Sequence, residues 1–290
     1  ICSLLIDLYI DLEAGETCGE AGILSLLADR KGELVCVNEN AAHLLLLDHD
    51  AVYLCRGECG GYEFPRHVAA PDNIDLFSAE HEIVVRYQGG NNAGHTVVNE
   101  RGKFVLNLLP SGILRPGTVN VLGPGMVLDL EHLTNEVAHI REQGVAITPE
   151  HLKISDRATI CMPYHKLLDC LEEERLADKK FGSTRRGIAP VYADKYMKKT
   201  VRMGDLLHPE LLPEKLADLM EWKNLTVNKG YGHEAITPEA MLEWLNTYAM
   251  PFVPYITNTT KYLGDAAKAG KNIMFEAQLG ALRDIDFGIF

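Results

Sequence analysis

Between residues 88 and 96 the chain reads Gln88-Gly89-Gly90-Asn91-Asn92-Ala93-Gly94-His95-Thr96. The residue types suit ligand contact. Three glycines let the backbone approach a bound group closely and turn its N–H groups inward, and two asparagines supply paired donors and acceptors. His95 can move a proton near neutral pH. An ordinary turn draws on glycine and asparagine too, so the loop alone does not name a ligand. No Gly-Lys-Ser/Thr follows the glycines, which excludes a standard phosphate-binding P-loop at this point.

Two further stretches carry the same kind of inventory. Gly182-Ser183-Thr184-Arg185-Arg186-Gly187 joins two hydroxyls and two guanidinium groups between glycines, a set that binds a phosphate monoester. The alternative is a solvated basic turn. Lys195, Lys198 and Lys199 extend the positive field, which favours a phosphorylated small molecule over an exposed helix face. In the last stretch, Phe275 to Asp286, Gln278 could read an amide-like base edge or stand as a plain strand-end glutamine. Cys55, Cys59 and His67 lack the usual knuckle spacing and a fourth ligand, so scattered thiols are a better reading than zinc.

The elements that must position these residues follow from local pattern. Glu82–Tyr87 and Lys103–Leu109 are predicted as buried strands, closed by Gln88-Gly89-Gly90 and Pro110-Ser111-Gly112. Thr118–Leu122 is a third strand, broken by Gly123-Pro124-Gly125. Asp129 can cap a helix in which Leu130, Leu133, Val137 and Ile140 recur at helical spacing. Leu152–Ser155, Ala158–Cys161 and Lys271–Glu276 read as strands. Tyr164–Leu176, Leu212–Trp222 and Pro238–Tyr248 read as helices. Before them, Gly22–Asp29 suggests a helix, Glu33–Val37 a strand, and Ala41–Leu47 either. Strands alternating with helices give an α/β fold with a mainly parallel central sheet flanked by helices.

Composition supports a globular chain, with 47% hydrophobic and 24% charged residues. A formal charge of −13 argues against nucleic acid or an anionic membrane as partner. The longest apolar runs fall short of the roughly 20 residues that a bilayer span needs. No signal peptide is evident at the start, and the missing initiator Met suggests an incomplete chain. Seven cysteines without small-domain spacing point to reduced thiols in the cytoplasm. Residues 1–73 hold 13 acidic and 4 basic residues, and five of the seven cysteines. They read as a segment of different character from residues 74–290.

With these residues in place, the chain from Ile74 to Phe290 resembles the adenylosuccinate synthetase family, which joins aspartate to IMP with GTP. RYQGGNNAGHTVV at Arg86–Val98 and KFVLNLLPSGIL at Lys103–Leu114 carry the likeness. GSTRRGIAPVYADK at Gly182–Lys195 extends it, where the family usually has Gly-Thr-Thr-Gly-Arg-Gly-Ile-Gly-Pro. The resemblance implies a P-loop-NTPase-like fold, here incomplete, and a homodimer. It makes His95 the general acid while GTP phosphorylates the 6-oxygen of IMP, before the amine of L-aspartate displaces that phosphate. Asn92, Ala93, Gly94 and His95 would border IMP, and Gly94, His95 and Thr96 the GTP phosphates. Gly94 would offer its carbonyl to Mg²⁺. Thr184 would hold the 5′-phosphate, and Lys198, where the family has arginine, would serve the partner subunit's site. Gln278 lies one residue early against the family's glutamine.

Ungapped, the family's Gly-Asp-Glu-Gly-Lys-Gly-Lys loop falls on Arg66–Asp72, which reads RHVAAPD here. Neither its glycines nor its lysines remain. The chain also stops at Phe290, ahead of the family's guanine-reading and aspartate-binding segments. The expectation is an impaired ligase, or a non-catalytic IMP-binding or dimer-forming protein. A misread frame over residues 1–73 would account for the charge and cysteine break.

Overall fold

The structure of the protein, a computed structural model, describes residues 42–48, 51–54, 68–69, 81–99, 102–180 and 182–277. The strands in order are β1 (Ala42–Asp48), β2 (Ala51–Leu54), β3 (Val68–Ala69), β4 (Ile83–Gly89), β5 (His95–Asn99), β6 (Gly102–Leu106), β7 (Val119–Leu128), β8 (Leu152–Ser155), β9 (Thr159–Ile160), β10 (Ile256–Thr257) and β11 (Ile273–Glu276). The helices are α1 (Leu130–Glu142), α2 (Pro163–Leu176), α3 (Ile188–Met197), α4 (Leu212–Val227), α5 (Pro238–Tyr248) and α6 (Thr259–Lys268). The readings at Gly22–Asp29, Glu33–Val37, Cys55, Cys59, His67 and Gln278 lie outside the described residues.

The main sheet runs β10-β8-β7-β4-β11-β1-β2-β3, with β9 added alongside β7. Pairing is parallel from β10 to β1 and antiparallel only for β2 and β3. Of the stretch Ala41–Leu47, ambiguous in sequence, the described residues lie in strand β1, parallel to β11. Ile83, Val84 and Val85 are all buried, because β4 is central and covered on both faces. Ile83, Val85, Val121 and Ile273 pack with Tyr262, Leu263 and Ala266 of α6. Leu122, Met126 and Leu128 belong to the larger core with Leu130, Leu133, Val137 and Ile140 of α1. Each fully buried aliphatic side chain of this kind contributes roughly 1.5–3 kcal/mol.

Two readings of the sequence are corrected here. The stretch predicted as a buried strand over Lys103–Leu109 is shorter. It forms β6, which pairs antiparallel with β5 in a separate two-stranded ribbon. Its burial alternates, with Phe104 and Leu106 inside and Lys103 and Val105 outside, the pattern of a strand with one solvated face. The third strand is not broken at Gly123-Pro124-Gly125, for β7 runs through it to Leu128. A Cβ on Gly123 or Gly125 would lie 2.9 or 2.3 Å from Tyr87 backbone atoms. The glycines therefore let β7 press against β4 where the register shifts between Arg86 and Gln88.

Candidate functional site

The loop Gly90–Gly94 leaves the carboxyl end of central strand β4, where ligands of open α/β sheets bind. It is held from below. The Asn91 amide nitrogen donates to Asp129 Oδ2 at 2.9 Å, and Asp129 is the N-cap of α1, accepting the His132 N–H at 3.2 Å. Lys166 Nζ of α2 lies 2.8 Å from the same Asp129 oxygen. Asp129 can only accept, so the Asn91 amide nitrogen must face it and the side-chain carbonyl oxygen must point away. That oxygen and the carbonyl oxygen of Asn92 are buried and accept no hydrogen bond among the described residues.

A second support reaches the loop from β6. A Cβ on Gly94 would lie 2.4 Å from Asn107 Nδ2, so Asn107 rests directly on that glycine. Asn107 Oδ1 is 3.1 Å from His132 Nε2. The backbone N–H groups of Asn107, Leu108 and Leu109 all donate to the Glu136 carboxylate, at 2.9, 3.0 and 3.1 Å. Burial pushes the Glu136 carboxyl above the usual range, against the opposing pull of those three N–H groups.

Beneath both strands, Arg86 Nη1 donates to Glu276 Oε1 at 3.1 Å. The other Glu276 oxygen accepts the Ser111 N–H at 2.9 Å. This buried ion pair ties β4, β11 and the turn at Ser111 together.

Helix α3, which follows the basic turn Gly182–Gly187, packs against the start of this loop. A Cβ on Gly90 would meet Ile188 Cδ1 at 2.7 Å, and the Gly89 N–H donates to the Tyr192 hydroxyl at 3.0 Å. That hydroxyl in turn donates to Gly125 O at 2.9 Å. Both residues belong to α3, whose start is the end of the basic turn. Thr184, Arg185 and Arg186 are exposed. Ser183 points the other way and donates to Asp169 Oδ1 at 2.5 Å. Arg185 adopts φ +57°, at the position where the family's pattern carries glycine.

The remaining expected residues fall as follows. Asn92, Ala93 and Thr96 are half-buried and Gly94 is exposed. The backbone of His95 opens β5 opposite Leu106. Lys198 is exposed at the C-cap of α3 with φ +60°. Ten helical residues, about 15 Å of rise, separate it from Gly187. Lys195 is half-buried, with Nζ donating to Pro124 O at 2.7 Å. Burial, helped by nearby Arg202, lowers its ammonium to about 8.

Sequence reasoning missed the polar stripe on α2. His165, Asp169 and Glu173 are buried at four-residue spacing, and each holds part of the segment that follows. His165 Nδ1 accepts the Met162 N–H at 2.9 Å, so in its neutral form Nε2 carries the proton donated to Asp194, 2.9 Å away. Lys223 pairs with the other Asp194 oxygen. Burial lowers the His165 pKa. For Asp194, burial acts upward, but the bonds from His165 and Lys223 outweigh it and hold the pKa down. A run of polar residues at i, i+4 and i+8 on one helix face is the signal that could have revealed the stripe.

A mainly parallel sheet flanked by helices, with a glycine-bearing loop at the carboxyl end of its central strand, defines an open α/β fold of the kind that binds ligands at that edge. The sequence pattern of the adenylosuccinate synthetase family matches residues 72–290, and the chain belongs to that family. It is 44% identical over 217 residues to adenylosuccinate synthetase 2 of Pseudoalteromonas translucida, covering 74% of this chain and 51% of that protein. Against the Lactococcus lactis adenylosuccinate synthetase it is 43% identical over 216 residues, covering 74% and 50%. The chain thus spans about half the length of the curated relatives it matches. The fully ligated adenylosuccinate synthetase structure from Plasmodium falciparum superposes with a TM-score of 0.66 at 28% identity, over 74% of this chain and 49% of that one. A cyanophage S-2L succinoaminodeoxyadenylate synthetase bound to dGMP and dATP shares the fold, with a TM-score of 0.51 at 18% identity, over 87% and 55%.

Proposed function

We propose that this chain carries the IMP-binding part of a purine-biosynthetic ligase, which joins L-aspartate to IMP with GTP and yields adenylosuccinate. The observation that carries the reading is the Asn91–Asn92 pair: two buried side-chain carbonyl oxygens without a donor among the described residues, in a loop at the end of the central strand. A buried acceptor left unmet costs about 1–3 kcal/mol, and a donor on a bound ligand would recover that cost.

In this reading Asn92, Ala93, Gly94 and His95 border IMP. The γ-phosphoryl group passes from GTP to the 6-oxygen of IMP as its bond to the β-phosphate oxygen breaks; His95 gives a proton to the departing GDP, and the N1 proton of IMP passes to a general base for which this chain has no assigned residue. The aspartate amine then attacks C6, and the C6–O bond breaks to release phosphate. Gly94, His95 and Thr96 adjoin the GTP phosphates, Thr184 the 5′-phosphate and Gln278 the purine. Gly94 is exposed and offers a hard oxygen, which fits an ion that arrives on phosphates and keeps most of its water. Bound there, Mg²⁺ would neutralise charge on the phosphates. Among the described residues no group of three or more His, Cys, Asp or Glu stands ready to hold a metal.

Lys198 is separated by the length of α3 from the turn in its own chain, and Tyr196 and Met197 beside it are 76% and 51% exposed. Both facts support a homodimer in which Lys198 serves the partner's phosphate. Arg66–Asp72, RHVAAPD, supports weak or absent turnover, because no lysine or glycine is present to cradle the donor phosphates. No helix among the described residues is long and apolar enough to cross a membrane, which suits a cytoplasmic enzyme.

Calorimetric titration tests the reading. IMP binding with Mg²⁺·GTP binding and adenylosuccinate formation above a His95→Ala control supports the ligase. IMP binding alone supports a non-catalytic IMP-binding protein. Binding of neither nucleotide refutes both.

A further inference from the structure

We propose that Asp169 is the positioning residue for the phosphate turn, acting through Ser183 and Gly187, and that α2 is the bracket that spaces the two ligand loops. The inference rests on the IMP reading for its ligand and on the geometry of α2 for its mechanism.

Both oxygens of the Asp169 carboxylate are committed. Oδ1 takes the Ser183 hydroxyl proton at 2.5 Å and Oδ2 takes the Gly187 N–H at 2.8 Å. Asp169 is only 6% exposed, so these charge-assisted bonds are shielded from water. Ser183 Oγ also accepts the Arg185 N–H at 3.1 Å, which closes the turn on itself. Gly187 has φ +75°, and a Cβ there would sit 2.7 Å from the backbone of His165 and Lys166. The turn is thus seated directly on the start of α2.

One consequence concerns the two hydroxyls. The single proton of Ser183 is spent on Asp169, so Ser183 cannot donate to a phosphate while that bond stands. Thr184 is the hydroxyl left facing outward. Glu173, one turn further along, accepts the Gly182 N–H at 3.2 Å, and His165, one turn earlier, holds Asp194. Three successive turns of one helix therefore fix the segment from Gly182 to Asp194. From the neighbouring position Lys166 reaches Asp129, and through it Asn91 of the other loop. A carboxylate and an ammonium three residues apart on one rigid helix set the separation of both loops.

The test is a double-mutant cycle on the full chain. Asp169→Asn keeps the shape and one acceptor, and Ser183→Ala removes the hydroxyl from a half-exposed position. Each is titrated with IMP and with inosine, which lacks the phosphate. The single variants are expected to weaken IMP about tenfold and inosine less than twofold, with the double variant no worse than either single one. Amide hydrogen exchange at Gly187 is expected to quicken about tenfold in both. Multiplying losses would show that Ser183 contacts the phosphate directly, and equal losses for inosine would show a purely structural role; either overturns the proposal. If the wild-type chain binds neither compound, the IMP reading falls, and the exchange rate at Gly187 still decides the role of Asp169: an unchanged rate refutes it.

Discussion

Asn91 and Asp129 are joined by a buried hydrogen bond of 2.9 Å from side-chain amide to carboxylate, and that bond links the loop after β4 to the cap of α1. Asp129 also carries Lys166, so one carboxylate serves a loop, a helix end and a cation from a second helix. Asp129→Ala is expected to cost about 2–4 kcal/mol: about 1–3 kcal/mol for the buried Asn91 amide left without its acceptor and about 1 kcal/mol for the lost cap, while Lys166, 29% exposed, keeps Glu131 at 3.4 Å. Urea unfolding followed by circular dichroism measures it. A loss below about 1 kcal/mol would mean that the cap alone matters.

Arg185 occupies the left-handed region at φ +57°, which strains any residue with a Cβ. Arg185→Gly is expected to raise stability by about 0.5–1 kcal/mol after the extra chain entropy of glycine is subtracted. Arg185→Ala keeps the strain and serves as the control. Equal unfolding midpoints for the Gly and Ala variants would contradict the strained turn.

The close approach of β7 to β4 makes a ranking of two glycine substitutions. At Gly125 the added carbon would meet Tyr87 O at 2.3 Å, a backbone atom that cannot move without breaking the pairing. At Gly94 it would meet the end of the Asn107 side chain, which can swing away. Gly125→Ala is expected to cost several kcal/mol, on the scale of severe overpacking, and Gly94→Ala clearly less. Adding Asn107→Ala should recover part of the Gly94→Ala loss. Thermal midpoints of the four proteins decide the order.

The buried His165 gives a pH dependence whose sign follows from its lowered pKa. The unfolded chain binds the proton near pH 6.5 and the folded chain only at lower pH, so His165 subtracts stability as pH falls below about 6.5. Glu136, raised by burial, acts in the opposite direction as pH falls, so the His165 contribution must be isolated by difference. Stability is expected to drop more steeply between pH 7 and 5.5 in the wild type than in His165→Gln. Parallel curves would show that His165 takes up its proton in the fold as it does in the unfolded chain, and a shallower drop in the wild type would show that it is already charged in the fold; either contradicts the lowered pKa.

Much of this arrangement was legible in the residues. The apolar spacing after Asp129 gave α1 with its cap, and the β-branched run before Gln88 gave the central strand and the loop at its end. What escaped had physical reasons. Gly123-Pro124-Gly125 has turn composition, but a neighbouring strand demanded glycines there, and tertiary contact overrode local preference. Helix α3 was hidden because its inward positions include Asp194, a charge that ordinarily marks a solvated face. Asp169, Glu136 and His165 were overlooked on the same ground: their partners are backbone N–H groups and distant side chains, which no local pattern displays. Family likeness supplied the expected roles of His95, Thr184 and Lys198, which spacing alone could not assign.

The central claim is that the loop after β4 and the turn before α3 face one nucleotide. Amide chemical shifts of the isotope-labelled chain, followed as IMP is added, test it most directly. Saturable shifts at Asn92 to Thr96 and at Thr184, rising with a common dissociation constant, are the expected result. Shifts confined to one of the two segments, or none in either at saturating IMP, would contradict the account.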